Sequence, residues 1–352
     1  MTLLRWTLFL AAALAFGQEA APFPVEKPNP WKPAWEMTLR GDRLSDPEEA
    51  SESFRRAGLQ LRLRWTWDLE LLRLEAGTRS ALGSDSNQLN SPRWDQQPSN
   101  GTQLDVARAE TSWATPRTFG RLSLGLQENG LMTSQSLWDR DLRFLGAGGT
   151  VGLRSSGGWL QEAGFRAAVG RVRDILGGNV DLAAGQFVLK MDTGPVSWSA
   201  HADHWELSWD PGEERLRALP GHPIDARQRM KLDAAGAGLT WHAALPLEGR
   251  WFRSRNPETG ETSEEVQAIA GSRERVYWPQ LAFTWQRLSS TGTLYPVNGD
   301  EWWFYRRAQG PRLDLSLPLP GNWVATLTHL RQRSGEDDYQ ITRTMVVLLK
   351  RF

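Results

Sequence analysis

The sequence contains no cysteine, very little lysine and only 4 tyrosines, and after its first residues it has no long apolar run. The absence of cysteine excludes disulfide bonds, thiolate zinc sites and a cysteine nucleophile. Without further apolar runs of about 20 residues, a bundle of membrane-spanning helices is excluded. An excess of charge of one sign is also missing, because 41 Lys plus Arg balance 41 Asp plus Glu. A strongly basic nucleic-acid-binding protein is therefore not indicated.

What the chain does contain is 19 tryptophans among 352 residues, and its mean hydropathy is −0.49. A polar average of this kind is usual for a soluble protein. It is equally compatible with a transmembrane β-barrel, because alternation of lipid-facing and lumen-facing residues averages to a polar sequence. The arrangement of the residues, and not their average, must decide between the two.

The N-terminal segment predicts export from the cytoplasm. Residues 1–17 carry one positive charge at Arg5, an apolar stretch from Trp6 to Phe16 and small residues at the end, which is typical of a signal peptide. A single membrane anchor is the alternative, but the stretch is shorter than the roughly 20 residues that span a bilayer. We expect the proline-rich residues 18–33 to form a linker and residues 34–352 to form the folded domain.

Apolar and polar residues alternate along most of the chain, most clearly between Leu59 and Leu71. Leucines and tryptophans occupy one parity there, and polar residues such as Arg62 and Arg64 occupy the other. Successive side chains of a strand point to opposite faces, so this segment is predicted to be a strand with one apolar and one charged face. The parity changes after Asp68, which predicts a tight turn or a bulge before Leu72.

Similar segments recur to the C-terminus and predict one antiparallel all-β domain. Short turns alternate with long polar connections, which we place at 82–102, 128–141, 206–226 and 256–273. At 174–178 and 333–338, short linkers occur where the alternation of short and long connections predicts a long one. This alternation is typical of a transmembrane, antiparallel, up-and-down β-barrel. The pattern predicts about 16 strands, with 14 as the alternative because the pairing across 287–310 is ambiguous.

Two features of the composition favour a barrel over a soluble β-sandwich, which alternation alone does not exclude. Arginine dominates the basic residues and shares the polar parity with glycine and acidic residues, as suits a crowded aqueous lumen. The second feature is a set of tryptophans on the apolar parity, mostly near strand ends, where we expect aromatic belts at both membrane interfaces. The candidates are Trp65, Trp67, Trp113, Trp198, Trp241, Trp251, Trp285 and Trp323. Core or sugar-stacking roles are the alternatives for these indoles.

The last strand and one hairpin carry a resemblance to known proteins. The chain ends in an alternating strand with Phe352 as its final residue, which resembles bacterial outer-membrane β-barrel proteins. The residues from Phe119 to Gln127 read FGRLSLGLQ and resemble a strand of the general porins. The resemblance implies an outer-membrane location, surrounding outer-membrane lipid, and recognition of Phe352 as an assembly signal by the barrel-insertion machinery. It also implies a channel for small polar solutes, and porins of this size are often homotrimers.

The resemblance further implies that the long loop after the fifth strand folds inward and narrows the pore. That loop would be 128–141, where acidic groups would oppose arginines of the barrel wall and set up a transverse field. The loop departs from the family in lacking its Pro-Glu-Phe-Gly-Gly signature. The pore-lining candidates are Arg62, Arg64, Arg108, Glu110, Arg166, Glu128, Asp139 and Asp141. For each arginine, a structural ion pair is the alternative to a selective role.

No cofactor or metal site is indicated, and an enzyme is not expected. Only His201, Asp203 and His204 suggest chemistry, and on a strand His204 would face away from the other two. No nucleophile elbow, metalloprotease, phosphate-loop or dinucleotide motif is present. A barrel hydrolase, a barrel accessory to polysaccharide export and a secreted tryptophan-rich sandwich that binds carbohydrate remain as alternatives to a porin-like channel.

Overall fold

The computed structural model describes residues 32–45, 54–83, 101–139, 142–155, 157–175, 178–210, 228–289, 291–294, 308–334 and 340–352. The predicted signal peptide and most of the predicted linker lie outside the described residues. The first strand begins at Lys32, just before the predicted start of the barrel. Within the described part of the chain, no helix is long and apolar enough to cross a membrane.

The described chain forms sixteen strands in sequence order. They are β1 (Lys32–Ser45), β2 (Phe54–Leu69), β3 (Leu72–Gly83), β4 (Gly101–Ala114), β5 (Thr118–Gln127), β6 (Phe144–Leu153), β7 (Leu160–Ile175), β8 (Gly178–Asp192), β9 (Val196–Asp210), β10 (Gln228–Trp241), β11 (Leu247–Arg255), β12 (Thr262–Gly271), β13 (Gln280–Leu288), β14 (Ala308–Leu319), β15 (Trp323–Ser334) and β16 (Gln340–Arg351).

Each strand pairs antiparallel with the next, and β1 pairs with β16 to close the sheet into a barrel. In the closing pair Met37 lies opposite Lys350, and the register continues without interruption to Ser45 opposite Thr342. The prediction of an all-β up-and-down barrel with sixteen strands is confirmed. The alternatives of 14 strands and of a two-sheet sandwich are wrong, because one closed sheet has no second sheet to pack against.

Short and long connections alternate around the barrel, and we call its two ends the short-turn rim and the long-loop rim. The predicted change of parity after Asp68 is confirmed, since Glu70 and Leu71 form a two-residue turn between β2 and β3. The predicted connection 256–273 is wrong, because β12 occupies most of it. Glutamate, glutamine and alanine make β12 too polar to show a clear apolar parity. The ambiguous region is also explained, since β13 ends at Leu288 and β14 begins at Ala308.

The porin-like FGRLSLGLQ segment is β5, and its glycines are explained by close packing. A Cβ on Gly120 would overlap the indole of Trp113 on the neighbouring strand. Gly125 has φ of 126° and approaches the carbonyl oxygen of Ala107 too closely for any side chain. Gln127 donates a hydrogen bond to the carbonyl oxygen of Gly146, 3.1 Å away on β6. The motif therefore joins β5 tightly to both of its neighbours.

The described residues between β5 and β6, 128–139 and 142–143, which we call the inner loop, lie inside the barrel. The loop contacts Arg64 on β2, Gln186 on β8, Glu265 on β12 and Arg312 on β14. A segment that touches strands so far apart around a closed ring has to run through its interior. The side chains that reach the loop therefore define the inner face of the wall, and the opposite parity is the outer face.

An apolar core fills part of the interior, between the inner loop and the inner faces of β7 to β10. Leu137 and Trp138 of the loop are buried against Leu182 of β8 and Trp205 and Trp209 of β9. Trp138 and Trp205 stack with ring centroids 6.0 Å apart. Burial of large side chains stabilises the loop position through the hydrophobic effect, at about 25 cal/mol for each Å² of apolar surface removed from water. The inner loop is therefore packed as part of the hydrophobic core.

Candidate functional site

The inner loop is tied to the wall by hydrogen bonds along its length. Gln186 makes two of them, since its amide nitrogen donates to the carbonyl oxygen of Met132 (2.7 Å) and its amide oxygen accepts from the Met132 backbone N–H (2.8 Å). The Ser136 N–H donates to a Glu265 carboxylate oxygen at 3.2 Å. Arg312 donates to the side-chain oxygen of Gln135 at 3.1 Å, on the far side of the barrel. These bonds hold the loop in a fixed position across the lumen.

A network of arginines and carboxylates surrounds the first residue of the inner loop. Arg64 donates to Glu128 at 2.7 Å and also approaches Glu75 at 3.1 Å. Arg108 donates to the other oxygen of Glu75, again at 2.7 Å. Arg143, at the end of the loop, approaches Glu128 at 3.2 Å. The two ends of the loop are therefore connected to each other and to β2 through charged groups.

Asp105 gives the network a second buried anion. It lies 3.3 Å from Arg143, 3.7 Å from Arg79 and 3.8 Å from Arg64. The pairing between β3 and β4 shifts by one residue at Gly77, where Val106 and then Leu104 are the successive partners. Asp105 is the extra residue of this bulge, and the bulge directs its carboxylate to the inner face.

The arginines and the carboxylates of this network differ in their exposure to the lumen. The side chains of Glu75 and Asp105 are only 3% exposed, whereas that of Arg64 is 35% exposed and that of Arg121, 4.0 Å from Glu110, is 43% exposed. Solvent in the lumen therefore meets Arg64 and Arg121 together with Glu128, whose side chain is 47% exposed, and does not meet Glu75 or Asp105. Fixed charges at a water-filled surface attract ions of the opposite sign.

Glu128 is the acidic member that reaches the lumen, and its surroundings keep it ionised. Burial acts to raise the pKa of Glu128, but the charge of Arg143 and the hydrogen bond from Arg64 outweigh it and hold the pKa below its ordinary value of 4.5. Glu128 is thus a fixed negative charge facing an arginine-bearing wall.

A cavity of about 1160 Å³ adjoins this network on the side of the short-turn rim. Glu128 and other residues of the inner loop bound it on one side, and residues of β8 to β16 and β1, among them Arg40 and Arg250, form the rest of its wall. Its wall combines charged side chains with hydroxyl groups such as those of Thr326 and Thr328. A cavity with this lining can hold water and hydrated solutes.

The structure brings together most of the residues singled out as pore-lining candidates. Arg62, Arg64, Arg108 and Glu110 lie on the inner parity of β2 and β4. Arg166 is also on the inner parity, but it is engaged with Glu162 at 2.6 Å and donates to the Gly130 carbonyl oxygen at 3.1 Å. Asp139 is buried beneath the loop. Arg140 and Asp141 lie outside the described residues. The lining role of the whole set remains a proposal.

Sequence reasoning missed four members of the network: Arg79, Glu75, Asp105 and Arg143. Glu75 and Arg79 share the inner parity of β3, and the turn after Asp68 was a usable signal for that parity. Asp105 had no such signal, because a bulge breaks the alternation on which the reasoning depends. Arg143 lies in the loop, where no periodicity applies.

The histidine cluster is divided between two faces, as predicted. His201 pairs with Asp203 on the inner face, with 2.6 Å between Nδ1 and the carboxylate oxygen. His204 pairs instead with Asp233 on the outer face at 2.7 Å. Among the described residues, no group of three His, Cys, Asp or Glu side chains is placed to hold a metal ion.

The outer-face tryptophans gather at one rim. Of the eight candidates, six lie near the short-turn rim, which are Trp65, Trp67, Trp113, Trp198, Trp241 and Trp323. Trp251 lies mid-strand, and Trp285 lies toward the long-loop rim. Two distinct belts were expected, but the described residues form only one that is well populated. Charged residues such as Arg253, Arg287 and Arg333 occupy the outer face toward the other rim.

Comparison with known proteins agrees with this architecture. No protein-family model and no curated protein sequence matches the chain. Among solved structures, OprB of Pseudomonas putida matches with a TM-score of 0.62 and 10% identity, over 92% of this chain and 94% of that one. OmpF of Salmonella typhi, solved with daunomycin, matches with a TM-score of 0.53 and 11% identity, over 92% and 98% of the two chains. Both are outer-membrane porins. The chain has the porin fold.

Within this porin fold, the segment predicted to fold inward is the one found inside the barrel. The connection after the fifth strand was predicted as 128–141, and the inner loop runs from 128 to 143. The loop is held by an arginine-carboxylate network at its ends and by an apolar core along its middle.

Proposed function

We propose that the protein is an outer-membrane channel that allows passive diffusion of small polar or charged solutes. The observation that carries the proposal is the inner loop, which leaves a polar cavity between itself and the wall formed by β8 to β16 and β1. The exposed apolar parity of the strands supports a location in a bilayer. Surrounding lipid, small solutes and the barrel-insertion machinery are the partners that such a channel would have.

Single-channel recording of the full chain, folded in detergent and added to a planar bilayer, tests this proposal. We expect discrete conductance steps and a measurable reversal potential in a salt gradient. Absence of steps from protein that shows a folded, heat-modifiable band on a gel would contradict it.

A barrel accessory to polysaccharide export would share the fold and the membrane location, so these two functions have to be separated by transport. Entry of small polar solutes into liposomes that contain the protein supports a diffusion channel. A membrane location is tested separately, because an outer-membrane barrel stays with the membrane fraction after a carbonate wash.

A further inference from the structure

The outer face of β11 to β16 carries a row of polar residues in direct register. Arg253 lies opposite Glu264, Glu264 opposite Arg287, Arg287 opposite Gln309, Gln309 opposite Arg333, and Arg333 opposite Gln340. On β11 to β14 the outer face thus changes from apolar to polar at this height, whereas on β15 and β16 polar residues continue below the row to His329 and Thr344. Arg255 and Arg331 lie on the same face beside the row. We call the five arginines 253, 255, 287, 331 and 333 the outer arginine patch.

Below the patch, toward the short-turn rim, the same face is apolar and at least partly exposed on β11 and β13, and it becomes apolar on β15 beyond His329. Trp251 precedes Arg253, Phe283 and Trp285 precede Arg287, and Leu327 lies below Arg331. The height at which the arginines begin is therefore the height at which an apolar band ends. In a bilayer this is where acyl chains give way to headgroups.

Three arginines of the patch have no partner among the described residues. Arg253, Arg255 and Arg287 are exposed, and no described side chain forms an ion pair or hydrogen bond with them. Glu264, the one acidic residue in the row, accepts a hydrogen bond from the Trp251 indole at 2.7 Å. Among the described residues, Arg253, Arg255 and Arg287 therefore contribute three unpaired positive charges to this face.

We infer that the outer arginine patch binds the phosphate groups of a membrane lipid while the apolar band below it contacts the acyl chains. Guanidinium groups bind phosphate oxygens in a bidentate geometry, and arginine is the preferred residue for this task. Arg253 and Arg287 are two strands apart, roughly 10 Å at the usual strand spacing, as are Arg287 and Arg333. That spacing suits a lipid with more than one phosphate. The inference depends on the proposed membrane location.

Charge argues against a second copy of the chain as the occupant. Two copies that met through this same face would bring arginines against arginines. Acidic groups on the outer face of β8 and β10 are already used, since Asp181 pairs with Arg171 at 2.6 Å and Asp233 pairs with His204 at 2.7 Å. An anionic lipid complements the patch without breaking these pairs.

The test compares lipid retention by variants of the full chain. Protein folded in detergent micelles that contain cardiolipin and phosphatidylcholine would be washed, and bound lipids would be counted by native mass spectrometry. The test variant is Arg253→Gln with Arg287→Gln, and the charge-matched control is Arg117→Gln with Arg275→Gln, two exposed arginines at the short-turn rim. Arg253→Lys with Arg287→Lys keeps the charge but loses the fork geometry.

We expect the test variant to retain cardiolipin at least threefold less than the wild type, the control to retain it fully, and the lysine variant to fall between them. Equal retention by test and control variants would overturn the inference, as would equal retention of phosphatidylcholine by the wild type. Conversion of an oligomer to monomers with unchanged cardiolipin retention would assign the patch to a subunit interface. Conductance of the same samples tests the channel independently, because the patch lies outside the lumen.

Discussion

At the scale of single residues, how deeply each charged side chain is buried matters more than how many charged side chains there are. Glu75 and Asp105 are almost fully buried behind the arginines that they neutralise, while Arg64 and Arg121 keep part of their surface in the lumen. A buried carboxylate stabilises the position of an arginine and contributes less to the potential in the water beyond it. A solute would therefore meet the guanidinium groups of Arg64 and Arg121 beside the one exposed carboxylate of this described network, that of Glu128.

The first prediction concerns Arg62 and Arg64 on β2. Replacement of both by glutamine removes two cationic groups from the inner face and leaves Glu128 with Arg143 as its remaining partner. We expect the cation-to-anion permeability ratio to rise on the order of twofold, because the field near the loop becomes more negative. Reversal potentials in a planar bilayer measure this ratio. Arg117→Gln is the control, and an unchanged reversal potential in the double variant would refute a selective role.

The second prediction concerns pH and Glu128. Because its pKa lies below 4.5, the pairing of Glu128 with Arg64 and Arg143 contributes stability that is fully present above that value and is lost as the pH falls through the lowered pKa. We expect selectivity to stay constant from about pH 7 to about pH 5 and to shift toward anions at lower pH. Glu128→Gln should show the anion-shifted selectivity already at neutral pH. A selectivity midpoint above 4.5 that disappears in Glu128→Gln would contradict the assigned direction.

At the scale of elements, the inner loop behaves as part of the folded core. Its apolar residues pack against β7 to β10, and its backbone is bonded to β8 and β12. The sequence could not reveal this, because the inner faces of β8 and β9 carry Val180, Leu182 and Trp205, which look like lipid-facing residues. Both parities of these strands are apolar for different reasons, one facing the loop and the other facing outward.

The third prediction concerns the attachment of the loop through Gln186. Gln186→Leu keeps a similar volume but leaves the Met132 backbone N–H and carbonyl without their partners, at a cost of about 1–3 kcal/mol for each buried group. We expect the loop to loosen and single-channel conductance to become larger and noisier. Gln286→Leu is a matched control, since Gln286 is equally buried on the inner face but its amide makes no hydrogen bond within the described chain. Equal effects of the two substitutions would show that the attachment does not hold the loop.

At the scale of the whole molecule, closure of the barrel depends on the junction of β1 and β16. Near the short-turn rim Phe352 stacks on Trp35 with ring centroids 3.4 Å apart, and its backbone N–H donates to the Trp35 carbonyl oxygen at 3.0 Å. The Lys350 ammonium lies 4.5 Å from the Phe352 ring and 4.9 Å from that of Trp323. Three strands are thus joined at one point on the outer face.

The fourth prediction concerns this junction. Phe352→Ala removes the stacked pair, which is worth about 0.5–1.5 kcal/mol beyond the buried area. We expect the temperature at which the folded gel band converts to the unfolded band to fall by several degrees. Phe187→Ala is the control, because Phe187 is an outer-face phenylalanine, 54% exposed, far from the junction. An equal fall in both variants would mean that the junction has no special part in closure.

Alternation along the strands was enough to predict the closed barrel, its strand number and the inner parity of Arg62, Arg64 and Arg108. Features that interrupt alternation were not predictable in the same way. The bulge at Asp105 and the polar strand β12 are two examples, and both involve residues whose neighbours across the sheet decide their orientation. Two tryptophan belts were predicted, but six of the eight candidates lie near the short-turn rim, and arginines occupy the same parity toward the opposite rim.

The inner loop packs against β7 to β10, and the open cavity lies beside the loop within a wall formed by β8 to β16 and β1. In the proposed channel, a solute would pass with Glu128 and the inner loop on one flank and a wall that carries Arg40, Arg250 and Arg312 on the other. A zwitterion in such a passage experiences a torque as well as a force. It would cross with its anionic end turned toward the guanidinium groups. The channel would therefore select for molecular shape and for the direction of the dipole together. Net charge alone would not predict the order of permeation rates.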